Sequence, residues 1–296
     1  FKDDGTKMYI VGSTGDNVYE YNLANAWNVD SATFSHTLNI SGQETNPLGL
    51  YFKPDGTRMY ICGQVGVSPT GDYVRSYTLS TAWDLSTASY DSILFNVGTQ
   101  DTVPQGIYLK SDDGTKMYIV GSINDAVYEY SLGTAWNVST ATFTTSLLIG
   151  TTNTLNLPLT LTNPTGIDFN ASGTKMYIID QTRDVVARFD LATPWDISTT
   201  TFFDNLYVGF QELNPAGIFY QEDQSKAYIV GSSADTVFQY NTDVPSLEFA
   251  SAGISTRSSV IINNETRLNN RLYVTGDTHI SSTTIVKGAL TADSSF

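Results

Sequence analysis

Few residues in this chain are of types that do chemistry. Two histidines, His36 and His279, and one cysteine, Cys62, stand among 296 residues. That excludes an internal disulfide framework and a cysteine-cluster metal site, and no Ser-His-Asp set recurs at any spacing. Carboxylates are the abundant group. Glu44, Asp101 and Glu212 each lie three residues before a Pro-x-Gly step, with Leu161 at the fourth such place. Acids gathered at one rim would attract Ca²⁺ or cationic groups; solvated loop carboxylates are the competing reading. A second set is the Asp of a recurring Asp-x-Val: Asp16, Asp72, Asp125, Asp184 and Asp235. A hard cation needs about six to eight converging oxygens, so Asx-type turns are the better reading there. Trp27, Trp83, Trp136 and Trp195 could stack on sugars, but their recurrence at one place favours packing at a turn. Ser31, Thr87, Thr140 and Thr199 follow them, placed to cap that turn.

The charge balance narrows the partners. Thirty acidic residues against fifteen basic give a net charge of −15. Phosphate backbones and anionic membrane surfaces need clustered Lys and Arg, so nucleic acid and membrane insertion are excluded as expectations. Apolar residues make up 41% and charged residues 15%, the profile of a folded chain.

The elements that position these residues come in repeats. Gly5-Thr6-Lys7-Met8-Tyr9 returns at Gly56, Gly114 and Gly173, and in a worn form at Gln224-Ser225-Lys226-Ala227-Tyr228. Each unit reads as four short strands. The first follows Pro-x-Gly, as in Pro47-Leu48-Gly49-Leu50-Tyr51-Phe52. A Pro54-Asp55-Gly56-Thr57 hairpin turn leads to the second, and the third opens with Asp-x-Val. The fourth starts near an aromatic seven residues past each Trp: Phe34, Tyr90, Phe143 and Phe202. Four antiparallel strands repeated every 50–60 residues predict an all-β chain: a β-propeller of at least five four-stranded blades. The propeller spans 1–243, with repeats near 1–45, 46–103, 104–162, 163–213 and 214–243. The missing first strand belongs before Phe1, so the sequence reads as a piece of a longer protein. Val244–Phe249 is a candidate closing strand for the fifth blade.

The patterns Pro-x-Gly-Ile-x-Phe, Pro-Asp-Gly-Thr-Lys-Met-Tyr and Asp-x-Val-x-x-Tyr resemble the YVTN type of propeller repeat. The variant with Ala-Trp-Asp-Val-Ser-Thr-Ala resembles virion structural proteins of marine phages. The resemblance covers residues 1 to about 243 and implies fold more than function.

Residues 244–296 differ. They are neutral, rich in Ser, Thr and Asn, and lack Trp. Leu272-Tyr273-Val274-Thr275-Gly276-Asp277-Thr278 resembles phage tail-fibre shaft repeats. Three chains wound together could bury Val260, Ile262, Leu272, Val274, Ile280 and Leu290. A strand or linker packed on the propeller, and disorder, are the alternatives for this β-rich tail.

Two length irregularities mark candidate binding loops. The connection around Val67, Ser68 and Thr70 is longer than its equivalents, as is the one around Thr152 and Asn153. Together these features predict a non-enzymatic virion structural or adhesion protein, a tail-fibre or spike component. It would be homotrimeric through the tail and bind a host-surface glycan or another virion protein. No cofactor is expected beyond a possible Ca²⁺ ion, and the location is the virion or the extracellular space. The alternative is a secreted or surface-layer binding propeller of a marine microbe. A lactonase-like or glycan-cleaving enzyme ranks third.

Overall fold

The computed structural model describes residues 1–64, 72–150, 160–221, 223 and 225–242. Phe1–Val244 forms one compact unit and Pro245–Phe296 a second. The expected shaft and closing strand of the tail fall outside the described residues.

The described chain is five antiparallel sheets in sequence order. Blade 1 holds β1 (Lys7–Gly12), β2 (Asn17–Leu23) and β3 (Ala32–Asn39). Blade 2 holds β4 (Pro47–Phe52), β5 (Arg58–Gly63), β6 (Tyr73–Leu79) and β7 (Ala88–Asn96). Blade 3 holds β8 (Pro104–Leu109), β9 (Lys116–Gly121), β10 (Ala126–Leu132) and β11 (Ala141–Leu148). Blade 4 holds β12 (Pro164–Phe169), β13 (Lys175–Asp180), β14 (Val185–Leu191) and β15 (Thr200–Tyr207). Blade 5 holds β16 (Pro215–Tyr220), β17 (Lys226–Gly231) and β18 (Val237–Asn241). This is the all-β, five-bladed propeller that the repeats predict. Among the described residues blades 1 and 5 show three strands each, blade 1 beginning at its second position.

The Pro-x-Gly step has a steric cause. A Cβ on Gly49 would lie 3.0 Å from the Gln105 carbonyl and from the Gly106 Cα. One on Gly106 would lie 3.1 Å from the Thr165 carbonyl, and one on Gly166 would lie 2.9 Å from that of Ala216. The inner strands of successive blades touch backbone to backbone at these glycines, which a side chain would forbid.

The tryptophans hold each blade's turn. Trp27, Trp83, Trp136 and Trp195 all adopt φ near +64°. Each indole lies over the hairpin glycine of its own blade: a Cβ on Gly173 would meet Trp195 at 2.2 Å. The backbone N–H of Trp195 donates to the Gly173 carbonyl, and the other three pairs repeat this. Below the indole, a 3-10 turn is capped by Asn28, Asp84, Asn137 or Asp196, whose side chain accepts from the N–H two residues on. The hydroxyls of Ser31, Thr87, Thr140 and Thr199 close the same turn by bonding to backbone on both sides. Packing and capping are therefore what these two sets do.

The same turn links neighbouring blades. Its Trp carbonyl accepts from the Tyr hydroxyl of the blade before: Tyr9 to Trp83 at 2.6 Å, Tyr60 to Trp136 at 2.7 Å and Tyr118 to Trp195 at 2.6 Å. The last closes the ring, Tyr228 of blade 5 reaching Trp27 of blade 1 at 2.7 Å. Two junctions add an ion pair. Lys7 bridges Glu20 and the Trp83 carbonyl, while Glu20 accepts the Leu85 N–H. Lys116, Glu129, Trp195 and Ile197 repeat the set.

Gly173→Ala should therefore cost more than an ordinary surface change, about 2–4 kcal/mol in chemical denaturation, since positive φ and the Trp195 ring both oppose a Cβ. Tyr60→Phe, which removes one junction hydroxyl, should cost about 1 kcal/mol.

Candidate functional site

The three repeated acids are structural. Glu44 and Glu212 are fully buried and Asp101 nearly so. Glu212 accepts the N–H groups of Asn214, Ser233 and Ala234 at 2.8, 2.9 and 3.1 Å. Asp101 accepts from the N–H of Val103 and Asn124 and from the Tyr128 hydroxyl. Glu44 accepts the Asn46 N–H and pairs with the Arg75 guanidinium. Burial pushes the Glu44 carboxyl up, and the Arg75 charge pulls part of that back. Asp101 and Glu212 turn inward and clasp the loop entering the inner strand to the turn between second and third strands, and Glu44 clasps its loop to Arg75 of β6. They are neither solvated nor free for a cation, which corrects the rim-carboxylate expectation. The oxygens are taken by donors that would otherwise be buried unpaired.

Blade 4 reaches the same result by another route. Leu161 stands where the acid is expected, and Asp180 stands where the second strand otherwise ends in glycine. Asp180 is fully buried and accepts the N–H groups of Asn163 and Arg183, both at 2.8 Å. In blades 2, 3 and 5 that glycine is required, because a Cβ on Gly63 would meet Glu44 at 2.9 Å, one on Gly121 would meet Asp101 at 2.3 Å and one on Gly231 would meet Glu212 at 2.5 Å. One carboxylate fits this space, and either strand can supply it.

The Asp-x-Val aspartates are turn residues. Asp16, Asp125, Asp184 and Asp235 adopt φ of +49° to +53°. The carbonyls of Asp16, Asp72, Asp125 and Asp184 accept the N–H at the end of the outer strand: Ile40, Val97, Ile149 and Val208. Among the described residues no three Asp, Glu, His or Cys side chains converge as a metal site. Cys62 is fully buried in β5, burial pushes its thiol up, and it serves as a small core residue.

Val67, Ser68, Thr70, Thr152 and Asn153 lie outside the described residues. Their anchors do not. The first connection leaves Gln64, whose N–H donates to the Asn46 carbonyl, and returns at Asp72. The second leaves Gly150, bonded to the Asp125 carbonyl, and returns at Thr160, beside Leu161, whose N–H donates to the Ile149 carbonyl. Both sets of anchors belong to the face where outer strands hand over to inner ones, the face that carries Glu44, Asp101, Asp180 and Glu212. The Trp turns lie on the opposite face.

A cavity of about 470 Å³ occupies the centre. The inner strands supply Tyr51, Tyr108, Ile167, Asp168, Ile218 and Phe219, and β1 supplies its inner edge from Met8 to Val11. Tyr51 meets Tyr108 edge-on at 5.0 Å, and Tyr108 meets Phe169 at 5.1 Å. Asp168 is the one acid on these strands. It is 6% exposed and accepts the Tyr220 N–H of the next blade at 2.6 Å and the Phe169 N–H at 2.9 Å. Burial pushes its carboxyl up to about 7, against the lowering effect of the two N–H groups. Sequence reasoning passed over Asp168, although a signal was there: the matching positions of the other inner strands are Tyr51, Tyr108 and Phe219.

No family model matches the chain, and no curated protein matches its sequence. Solved structures share the architecture at low identity. A protein of unknown function from Desulfotomaculum acetoxidans is 13% identical with a TM-score of 0.48, over 81% of this chain and 63% of that one. A protein from Lactobacillus plantarum is 14% identical with a TM-score of 0.49, over 81% and 64%. A candidate 6-phosphogluconolactonase from Bacteroides uniformis is 10% identical with a TM-score of 0.47, over 80% and 64%. The chain thus spans less than two thirds of the length of these proteins, and likeness at this level carries no argument about activity.

Two outcomes test these assignments. Glu212→Leu should destabilise the propeller by about 2–4 kcal/mol, the cost of leaving buried N–H groups unpaired, and adding Gly231→Asp should recover most of it by copying blade 4. Asp168 binds its proton more tightly folded than unfolded. Its contribution to stability is therefore greatest near pH 4 and is lost as pH rises toward about 7. Asp168→Asn should flatten that part of the curve of unfolding free energy against pH, a slope of at most about 1.4 kcal/mol per pH unit, as read by chemical denaturation.

Proposed function

We propose that this protein is a non-enzymatic adhesive propeller, a rigid knob that binds neutral or cationic carbohydrate through the face carrying the two longer connections. One observation carries the reading: the anchors of both irregular connections, Gln64 to Asp72 and Gly150 to Thr160, fall on the same face of a ring whose repeats are otherwise regular. Insertions on a rigid repeat scaffold are where binding surfaces arise. The net charge of −15 favours neutral or cationic ligands over polyanions. The acids that might have served hydrolysis, Glu44, Asp101, Asp180 and Glu212, are committed to backbone N–H groups.

The setting we propose is a virion fibre or spike, with residues 244–296 as a trimeric shaft; the Ser/Thr/Asn-rich, neutral composition supports it. The experiment is a glycan array on the full chain beside a variant in which residues 65–71 and 151–159 are replaced by short Gly-Ser links. Binding that is lost while the melting temperature holds supports the reading. Binding that survives removes it, and turnover of a bound glycan or lactone replaces it with an enzyme. Light scattering should give a trimer for the full chain and a monomer for a chain ending at Asn241.

A further inference from the structure

One loop on the face of the clasping acids carries apolar side chains that its counterparts lack. Residues 207–215 match 39–47 and 96–104 one for one, from the end of the outer strand to the proline of the next inner strand. Tyr207 stands where those loops have Asn39 and Asn96, Phe210 where they have Gly42 and Thr99, and Leu213 where they have Thr45 and Thr102. Thr99 and Thr102, between two four-stranded blades, are exposed just as Gly42 and Thr45 are, so exposure at these positions belongs to the loop itself. Phe210 and Leu213 are 64% and 58% exposed. The fold therefore does not require an apolar residue at either place. The loop nevertheless holds them firmly. The N–H groups of Gln211 and Glu212 both donate to the Val208 carbonyl, and Glu212, between Phe210 and Leu213, is clasped inward. Tyr207 lies over Gly209 and meets the Phe210 ring edge-on, 5.1 Å away with 87° between the planes. Exposed Gln211 and Asn214 flank the pair. Gln211 is tethered at Oε1, which accepts from the Tyr240 hydroxyl at 3.3 Å. The buried Glu212 is the one charged residue from Tyr207 to Pro215.

We propose that Phe210 is a stacking platform for a neutral pyranose, whose C–H face lies on the ring while Leu213 packs against its edge and the Gln211 and Asn214 amides take its hydroxyls. The inference rests on the reading of this face as carbohydrate-binding and gives it a contact residue apart from the two longer connections. The electron-rich face of an aromatic ring attracts the weakly positive C–H groups of a sugar. A ring already braced by Tyr207 loses little freedom when it is covered. Amide side chains both donate and accept, which suits hydroxyls, and the absence of a nearby cation favours a sugar without carboxylate or sulfate. The size of the patch decides against a protein partner. A stable protein interface needs about 800 Å² on each side, and two side chains on one loop fall well short of that.

The test compares the full chain with Phe210→Ala, Phe210→Trp and Leu213→Thr, the last copying the other loops. All three should keep the melting temperature within about 2 °C, because the side chains are exposed. On an array of neutral glycans Phe210→Ala should bind about tenfold more weakly or worse, Leu213→Thr a few-fold more weakly, and Phe210→Trp as tightly as the full chain or tighter. Glycan binding that Phe210→Ala leaves unchanged overturns the platform and leaves the carbohydrate reading standing. Should the array show no binding, saturation-transfer NMR with methyl β-D-galactopyranoside and methyl β-D-glucopyranoside decides. Transfer to either sugar from the full chain but not from Phe210→Ala upholds the platform, and no transfer overturns it. A concentration-dependent dimer that Phe210→Ala dissolves also overturns it, since the patch would then belong to a second copy.

Discussion

Four of the five blade junctions depend on one backbone carbonyl each. The Trp carbonyl at each outer turn is turned toward the preceding blade and takes its Tyr hydroxyl at 2.6–2.7 Å. Aiming that carbonyl requires left-handed φ at the Trp, and holding it there requires the indole to lie over a residue without a side chain. Hence the hairpin glycine and the tryptophan are one device, although some 20 residues separate them. Helical propensity and salt bridges play little part. Blades are joined by aromatic contacts, such as Tyr9 on Phe52 at 4.3 Å, and by this directional bond, with the Lys7–Glu20 and Lys116–Glu129 sets and Asp168 adding further bonds at three junctions.

The opposite face solves a different problem. Each inner strand is entered through a loop whose N–H groups are cut off from water by the neighbouring turn. A buried carboxylate satisfies two or three of them at once, with charge-assisted strength. The exchange in blade 4, Leu161 with Asp180 in place of an acid with a glycine, shows that the constraint in blades 2 to 5 is one carboxylate per blade rather than one residue per position. Charge that looks like a binding rim is therefore internal scaffolding, and it leaves the face itself to the connecting loops.

Rigidity and variation are thereby kept apart. Trp turns, clasping acids and inner-strand glycines are the repeated parts, and the acids among them are buried. The departures from repetition include the two longer connections and Asp168 among the inner-strand aromatics. Each is a place where the scaffold's requirements are locally relaxed, and each is where a function can be added without unsettling the ring.

The sequence alone determined the architecture. Gly-Thr-Lys-Met-Tyr, Asp-x-Val and the Trp turns recur at fixed spacing, and a repeated strand pattern that cannot bury its own faces must stack on copies of itself. It also determined the roles of Trp27 and its equivalents, since four residues at one repeat position read as packing. The role of the acids was not legible. Glu212 and a solvated loop carboxylate are identical in one dimension, and only the approach of a turn some 20 residues away, with its N–H groups, fixes which one it is. The Leu161 and Asp180 exchange was hidden for the same reason, because the two positions meet only across a hairpin. Asp168 was visible as a break in a repeat, but its raised proton affinity comes from burial between blades.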